Sequence, residues 1–224
     1  PMYIKVASAD MNNIELISHY IKCNKKLIIS TGMSSFNDVE ALVNYLSKAE
    51  FDNYVLMHCI AIYPHKEVDS QLGYIRKLMD RFDCDVGFSD HTIGPIACFA
   101  AACMGAEVVE KHFTYDKNAE GPDHQLSASP EEMKEIVNNI REFEIMRGSA
   151  AKRPVGKEIA NREKNRKSIV TIKPIKKGES LTIENIDIKR PGHGIEPKYF
   201  DTMLGKIAGK DIEEDEVLAM RYLV

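Results

Sequence analysis

Val86-Gly87-Phe88-Ser89-Asp90-His91-Thr92 and Val108-Val109-Glu110-Lys111-His112-Phe113-Thr114 decide the reading of this chain. Each is a short apolar run that closes on polar residues, the pattern of a strand buried on both faces. The same unit occurs three times upstream, closing on Lys5 and Ser8, on Ser30-Thr31-Gly32 and on His58. Strands are predicted near 3–7, 26–30, 54–58, 85–89 and 107–112, with helices starting near 13, 36, 70, 94 and 130. A run of strand-helix units predicts a parallel α/β sheet. In a parallel barrel the strand ends converge on one face, where active sites are built. Neighbouring strands lie about 4.8 Å apart. His91 and His112, on successive strand ends, can therefore share one cation at about 2.1 Å per bond. Ser89 with His91, and Glu110 with His112, share strand parity, so each pair can face the barrel mouth. The chain reads as part of a metal-dependent enzyme.

The fifth helix has the clearest signals. Ser129-Pro130-Glu131-Glu132 combines an N-cap, a proline at the first helical position and a capping-box glutamate. Met133, Ile136, Val137 and Ile140 form its apolar stripe, and Gly148 supplies the stop. Residues 149–165 are mostly charged or small, carry no period and read as a linker. Beyond them, short β-rich pieces (168–172 and 186–189) are punctuated by Pro174, Gly178, Pro191, Gly192, Gly194 and Gly205, which predicts a small, mostly β domain over 166–224. A closed barrel needs eight strand-helix units in about 250 residues, whereas residues 1–148 supply five. Three upstream units are therefore expected in a longer protein.

Composition narrows the function classes. With 224 residues, 44% of them apolar, the chain can bury a core. A net charge of -4 leaves no basic footprint for nucleic acid, and the basic residues between Lys152 and Lys177 are interspersed with acidic ones, as on a solvated surface. The five cysteines have no C-x-x-C spacing, and Cys59, Cys98 and Cys103 fall in apolar segments, which suits reduced buried thiols in a cytoplasmic protein. The longest apolar stretch, Ile96 to Ala106, is about half a membrane span. No membrane association is expected.

The segments KVASAD, LIISTGM, LMHCIAIYP, VGFSDHTIG, VVEKHFTYDKNAEGPDHQLS and IKRPGHGI occur in this order. Together they resemble the N-acetylneuraminate (sialic acid) synthase family, whose members join a phosphoenolpyruvate-condensing barrel to a SAF domain similar to type III antifreeze proteins. The resemblance implies an α/β fold: a TIM-type (β/α) barrel, here its last five units over 1–148, then the linker, then a β-clip SAF domain. It implies that His91 and His112 hold Mn²⁺ or Mg²⁺, a donor set suited to such ions. Lys5, Ser8, Ser30 and Ser89 match positions that contact phosphoenolpyruvate, and Thr31-Gly32 allows close backbone approach at a strand end. Tyr63 matches a loop facing the sugar. Asp123, in Gly121-Pro122-Asp123-His124, matches a loop where it can serve substrate binding or catalysis. His58 supports the site from its strand. Arg190 matches an arginine that reaches from the SAF domain into the partner subunit's barrel, which implies a domain-swapped homodimer. Ile60 and Ala61 depart from the family pattern, where one or both positions often carry a polar side chain.

The expected activity is a transferase reaction: condensation of phosphoenolpyruvate with N-acetylmannosamine or a related N-acyl sugar, giving an N-acetylneuraminate-type product and phosphate. The alternatives are a legionaminate or pseudaminate synthase, a metal-dependent pyruvate aldolase, and a non-catalytic carbohydrate-binding remnant. Ice binding is disfavoured, because it wants a weakly charged flat face and this C-terminal region is dense in Lys, Glu and Asp. Residues 1–224 alone are expected to lack synthase activity, and 166–224 to fold independently.

Overall fold

The computed structural model describes residues 2–224 and consists of two compact units, Pro1–Ser149 and Ala150–Val224. In the first unit, strands β1 (Tyr3–Val6), β2 (Lys26–Ser30), β3 (Tyr54–Cys59), β4 (Asp85–Asp90) and β5 (Val108–Lys111) alternate with helices α1 (Ile14–Lys22), α2 (Phe36–Lys48), α3 (Gly73–Arg81), α4 (Ile96–Cys103) and α5 (Pro130–Arg147). The strands form one parallel sheet in the order β1-β2-β3-β4-β5. Sequential order is the topology of a barrel wall; a doubly wound sheet reverses order at a switch point.

Register sorts the side chains. Val6 pairs with Ile29, Ile29 with Leu56 and Leu56 with Val86. This row packs in one core with Ile17, Leu42, Leu46, Ile75 and Leu78 of the helices. One residue along, the opposite face carries Ser30, Met57 and Gly87 in one row, with Cys59, Ser89 and Glu110 in the next. Helices thus cover one face, and the polar strand ends collect on the other. Gly87 has no room for a side chain: a Cβ there would lie 2.3 Å from Met57 Sδ and 2.6 Å from the Val108 carbonyl oxygen.

The helix ends follow their sequence signals. Ser35 with Asp38, and Ser129 with Glu132, form complete capping boxes, and Pro130 opens α5. Met133, Ile136 and Ile140 pack on Cys98, Val109 and Ala128, while Val137 of the predicted stripe is exposed. β5 ends one residue before His112 because the chain leaves the ladder there. The Ala128 N–H instead donates to the His112 carbonyl at 2.7 Å, and the Thr114 N–H to the Ala128 carbonyl at 3.0 Å. Cys59 and Cys98 are buried; Cys103, expected inside, ends α4 on its solvent side and is exposed.

The second unit contains α6 (Lys157–Asn165), the antiparallel pair β6 (Ser168–Thr171) and β7 (Ile186–Lys189), and the single turn α7 (Phe200–Met203). The segment 149–165, read as a structureless linker, is thus helical over its second half. It buries no residue, so it shows no apolar period. Lys, Glu, Ala and Arg favour the helix intrinsically, and the Glu158 carboxylate accepts from the Val155 N–H at 3.2 Å. Isolated bridges such as Ile175–Ile212 and Ala208–Leu223 tie the rest together around Ile169, Leu181, Ile186 and Leu218. Among the described residues no helix is long and apolar enough to cross a membrane.

Gly87→Ala is expected to lower stability by about 1–3 kcal/mol through overpacking. Gly73→Ala, at the open start of α3 with nothing within 4 Å of the added Cβ, should be neutral or stabilising. Urea denaturation midpoints of the two variants check this; equal midpoints would refute the packing assignment.

Candidate active site

His91 follows β4 directly and is buried. Its Nδ1 lies 2.8 Å from the Ile60 carbonyl oxygen. A carbonyl only accepts, so Nδ1 carries the proton and Nε2 keeps its lone pair. Burial holds the ring's pKa below the ordinary histidine value, against the opposing pull of the Ile60 hydrogen bond. The His112 ring stands edge-on to it, with centroids 5.2 Å apart. Tyr63 packs against both, at 4.0 Å from His91 and 5.7 Å from His112. Burial raises the Tyr63 hydroxyl's pKa, so it is a neutral hydrogen-bonding group. Asp123 Oδ2 lies 3.8 Å from His112 Nδ1. Its neighbour His124 turns back into the loop, where its Nδ1 meets Thr114 Oγ1 at 2.7 Å.

The second half of the constellation lies on β1, β2, β4 and β5. Lys5 Nζ donates to Ser30 Oγ at 2.7 Å and lies 3.7 Å from Glu110 Oε2. Ser89 Oγ donates to Glu110 Oε1 at 2.7 Å. Ser8 Oγ accepts the Gly32 N–H at 3.0 Å and donates weakly to Cys59 Sγ at 3.7 Å. Gly32 permits this approach, because a Cβ there would sit 2.7 Å from Ser8 Oγ. One ammonium, three hydroxyls and a carboxylate thus line the polar face. Sequence reasoning did not single out Glu110 as a site residue. Its shared parity with His112 was the available signal.

Alternation also removes residues from this face. His58, grouped with the polar strand ends, points to the helix side: its Nε2 donates to the Ser70 carbonyl at 2.8 Å, and its ring packs on Tyr74 and Phe88. Asp90 and Lys111 also lie outward of the site residues beside them. Ile60 and Ala61 line a cavity of about 310 Å³ together with Thr31, His58 and Tyr74. Ile60 serves His91 through its backbone, so the missing polar side chain leaves that bond intact. Arg190 ends up exposed, one residue past β7 in the second unit.

The donor set fits a divalent cation in part. His91 offers an Nε2 lone pair fixed by a carbonyl partner, the usual arrangement of a metal-binding histidine, and His112 and Asp123 stand beside it. Among the described residues no group of three or more His, Cys, Asp or Glu side chains is close enough to hold an ion unaided. Oxygen donors from substrate or water would complete the shell.

A parallel βα wall with its polar residues gathered at the strand ends defines a (β/α)-barrel protein with an enzyme-like rim. The chain belongs to the NeuB family: the family's profile matches residues 1–152, and that of the SAF domain matches residues 166–220. It is 40% identical over 216 residues to N,N'-diacetyllegionaminic acid synthase of Campylobacter jejuni, covering 96% of this chain and 65% of that protein. It is 32% identical over 239 residues to N-acetylneuraminate-9-phosphate synthase of Drosophila melanogaster, covering 96% and 64%. The crystal structure of N-acetylneuraminic acid synthetase from Leptospira borgpetersenii in complex with citrate superposes with a TM-score of 0.67 at 30% identity, over 71% of this chain and 56% of that one. The chain therefore spans a little under two thirds of the length of these curated relatives.

Burial holds the His58 pKa below its ordinary value near 6.5, with the Ser70 hydrogen bond opposing. The unfolded chain binds this proton more readily. The stability due to neutral His58 is therefore full above about pH 6.5 and lost as pH falls through the depressed folded value. His58→Gln removes the titration, so the slope of unfolding free energy against pH should flatten below pH 6.5, by at most about 1.4 kcal/mol per pH unit for one proton. Parallel wild-type and variant curves from pH 7 to 5 would contradict this.

Proposed function

We propose that the protein to which this chain belongs, at full length, is a nonulosonic acid synthase that condenses phosphoenolpyruvate with an N-acylated amino sugar. C3 of phosphoenolpyruvate attacks the aldehyde carbon of the open-chain sugar, water adds at C2, and phosphate leaves from C2. One observation carries the reading: the hydrogen-bonded pairs Lys5–Ser30 and Ser89–Glu110, joined by the Lys5–Glu110 ion pair, form a connected polar set on the sheet face that also presents His91, His112 and Tyr63.

Each residue has work in that reaction. Lys5 supplies the cation for a phosphate or carboxylate, and Ser8, Ser30 and Ser89 supply hydroxyl donors. Glu110 holds Lys5 and Ser89 in position. Tyr63 and Asp123 bind the sugar from the rim, Asp123 as an acceptor for its hydroxyls. His91 and His112 would hold Mn²⁺ or Mg²⁺, which supplies Lewis acidity at the aldehyde oxygen. Holding both reactants in line accounts for most of the acceleration. Arg190 contacts the N-acyl group from a partner subunit in a domain-swapped homodimer. The protein works in the cytoplasm, where phosphoenolpyruvate is available.

N-acetylmannosamine is the first acceptor to test. An acceptor with two N-acetyl groups is the second reading, favoured by the 40% identity to a diacetyllegionaminic acid synthase. In the full-length protein, phosphate release should require both phosphoenolpyruvate and sugar. His112→Ala should reduce it about 10³-fold or more while the melting temperature stays within a few degrees. Undiminished turnover of the variant with added Mn²⁺ overturns the ligand assignment, and pyruvate-dependent turnover without phosphate release favours an aldolase. The 224 residues alone are expected to release no phosphate, and residues 166–224 alone to give a folded circular dichroism spectrum with a cooperative melt.

A further inference from the structure

Behind the two imidazoles, on the helix side of the sheet, lies a buried ion pair that the proposed chemistry does not use. Asp90 and Lys111 are register partners across β4 and β5. Lys111 Nζ lies 2.8 Å from Asp90 Oδ2, with the two side chains 2% and 0% exposed. Cys98 of α4 donates to the same carboxylate oxygen at 3.2 Å. A buried ion pair contributes little net stability, since apolar residues of similar volume often do as well. What this pair supplies, and an apolar pair would not, is hydrogen bonding to the main chain.

β4 ends at Asp90, and the peptide groups beyond it have lost their ladder. Asp90 Oδ1 accepts the Thr92 N–H at 2.8 Å, and Lys111 Nζ donates to the Thr92 carbonyl. The His91 carbonyl accepts the His65 N–H at 3.2 Å, and the His91 ring is held by Ile60. His91 therefore sits between two residues fixed by the same ion pair. On β5, Lys111 immediately precedes His112, whose carbonyl is held by the Ala128 N–H. One ion pair thus joins the two backbone segments that carry the imidazoles.

We propose that Asp90 and Lys111 are positioning residues that set the separation and orientation of the His91 and His112 rings. The inference deepens the proposed function at the same site and rests on it only for what the two rings do. Breaking the pair should leave the sheet assembled, free the backbone at Thr92 and let the His91 ring depart from His112. Ligand-orienting partners of this kind typically change metal affinity by about 10–100-fold.

The test uses the 224-residue chain, isotope-labelled at histidine and at backbone nitrogen. In the wild type, a ring-to-ring nuclear Overhauser contact between His91 and His112 and a protected Thr92 amide are expected. In Lys111→Met, folded by circular dichroism, the ring contact should vanish and Thr92 exchange should quicken at least tenfold. Leu78→Ala, a core change on α3, should lower the melting temperature yet keep both signals. Persistence of the ring contact and of Thr92 protection in Lys111→Met overturns the proposal. If that variant does not fold, Asp90→Asn, which loses the charge but keeps an acceptor for the Thr92 N–H, decides by the ring contact alone: its loss supports the proposal and its persistence overturns it. Titration with Mn²⁺ alone separates this inference from the reading beneath it. Wild-type rings that Mn²⁺ does not broaden refute the ligand role, while the contact and exchange data still decide the positioning role. If Mn²⁺ does broaden both rings, its dissociation constant should rise tenfold or more in Lys111→Met.

Discussion

The strict two-residue alternation of side chains along parallel strands governs the rest of the first unit. Val6, Ile29, Leu56 and Val86 face the helices, while Lys5 and Ser30 beside the first two, and Cys59 and Ser89 three positions beyond the last two, face away. A slip of one residue would send Lys5 of β1, Ser30 of β2 or Ser89 of β4 toward the core and Val6, Ile29 or Val86 away from it. The core therefore enforces the register, and the register assembles the polar face. The hydrophobic burial that stabilises the unit and the placement of its polar groups are one constraint seen from two sides.

This explains what the sequence made legible. Strand and helix positions followed from apolar runs and caps, and the capping box at Ser129 formed as its sequence signal requires. The pairing of Ser89 with His91 and of Glu110 with His112 was readable from parity. What stayed hidden was geometry across strands. Glu110 gains its place only because Lys5 and Ser89 lie on either side of it, a relation between residues 105 and 21 positions apart that no local pattern encodes. His58 looked like a member of the polar row, but an odd position within β3 turned it to Tyr74 and Phe88.

In the second unit the balance differs. Its core is formed by Ile169, Ile175, Leu181, Ile195, Ile212 and Leu218, mostly from segments without regular secondary structure. Main-chain bonds such as Ile169 N–H to the Ile195 carbonyl, and Leu218 N–H to the Ile169 carbonyl, replace long ladders. Gly and Pro spacing gave the texture of this region but not its pairings, because those join residues about 26 and 49 positions apart, at distances where loop closure rather than local propensity decides. The exposed helix α6 escaped notice for the opposite reason: no buried face imprints a period on its sequence.

The bond from His91 to a main-chain carbonyl has a consequence for how such a site can diversify. Because the Ile60 backbone, not its side chain, orients the imidazole, residue 60 can change identity without disturbing the ring. Ile60 and Ala61 nevertheless line the adjoining cavity beside Thr31 and Tyr74. Substitutions there can reshape the cavity while the His91 ring keeps its geometry. Single substitutions at residues 60 and 61 can thus vary the lining of this cavity while the hold on the His91 ring stays constant, so that the shape of one short loop and its grip on the imidazole change independently.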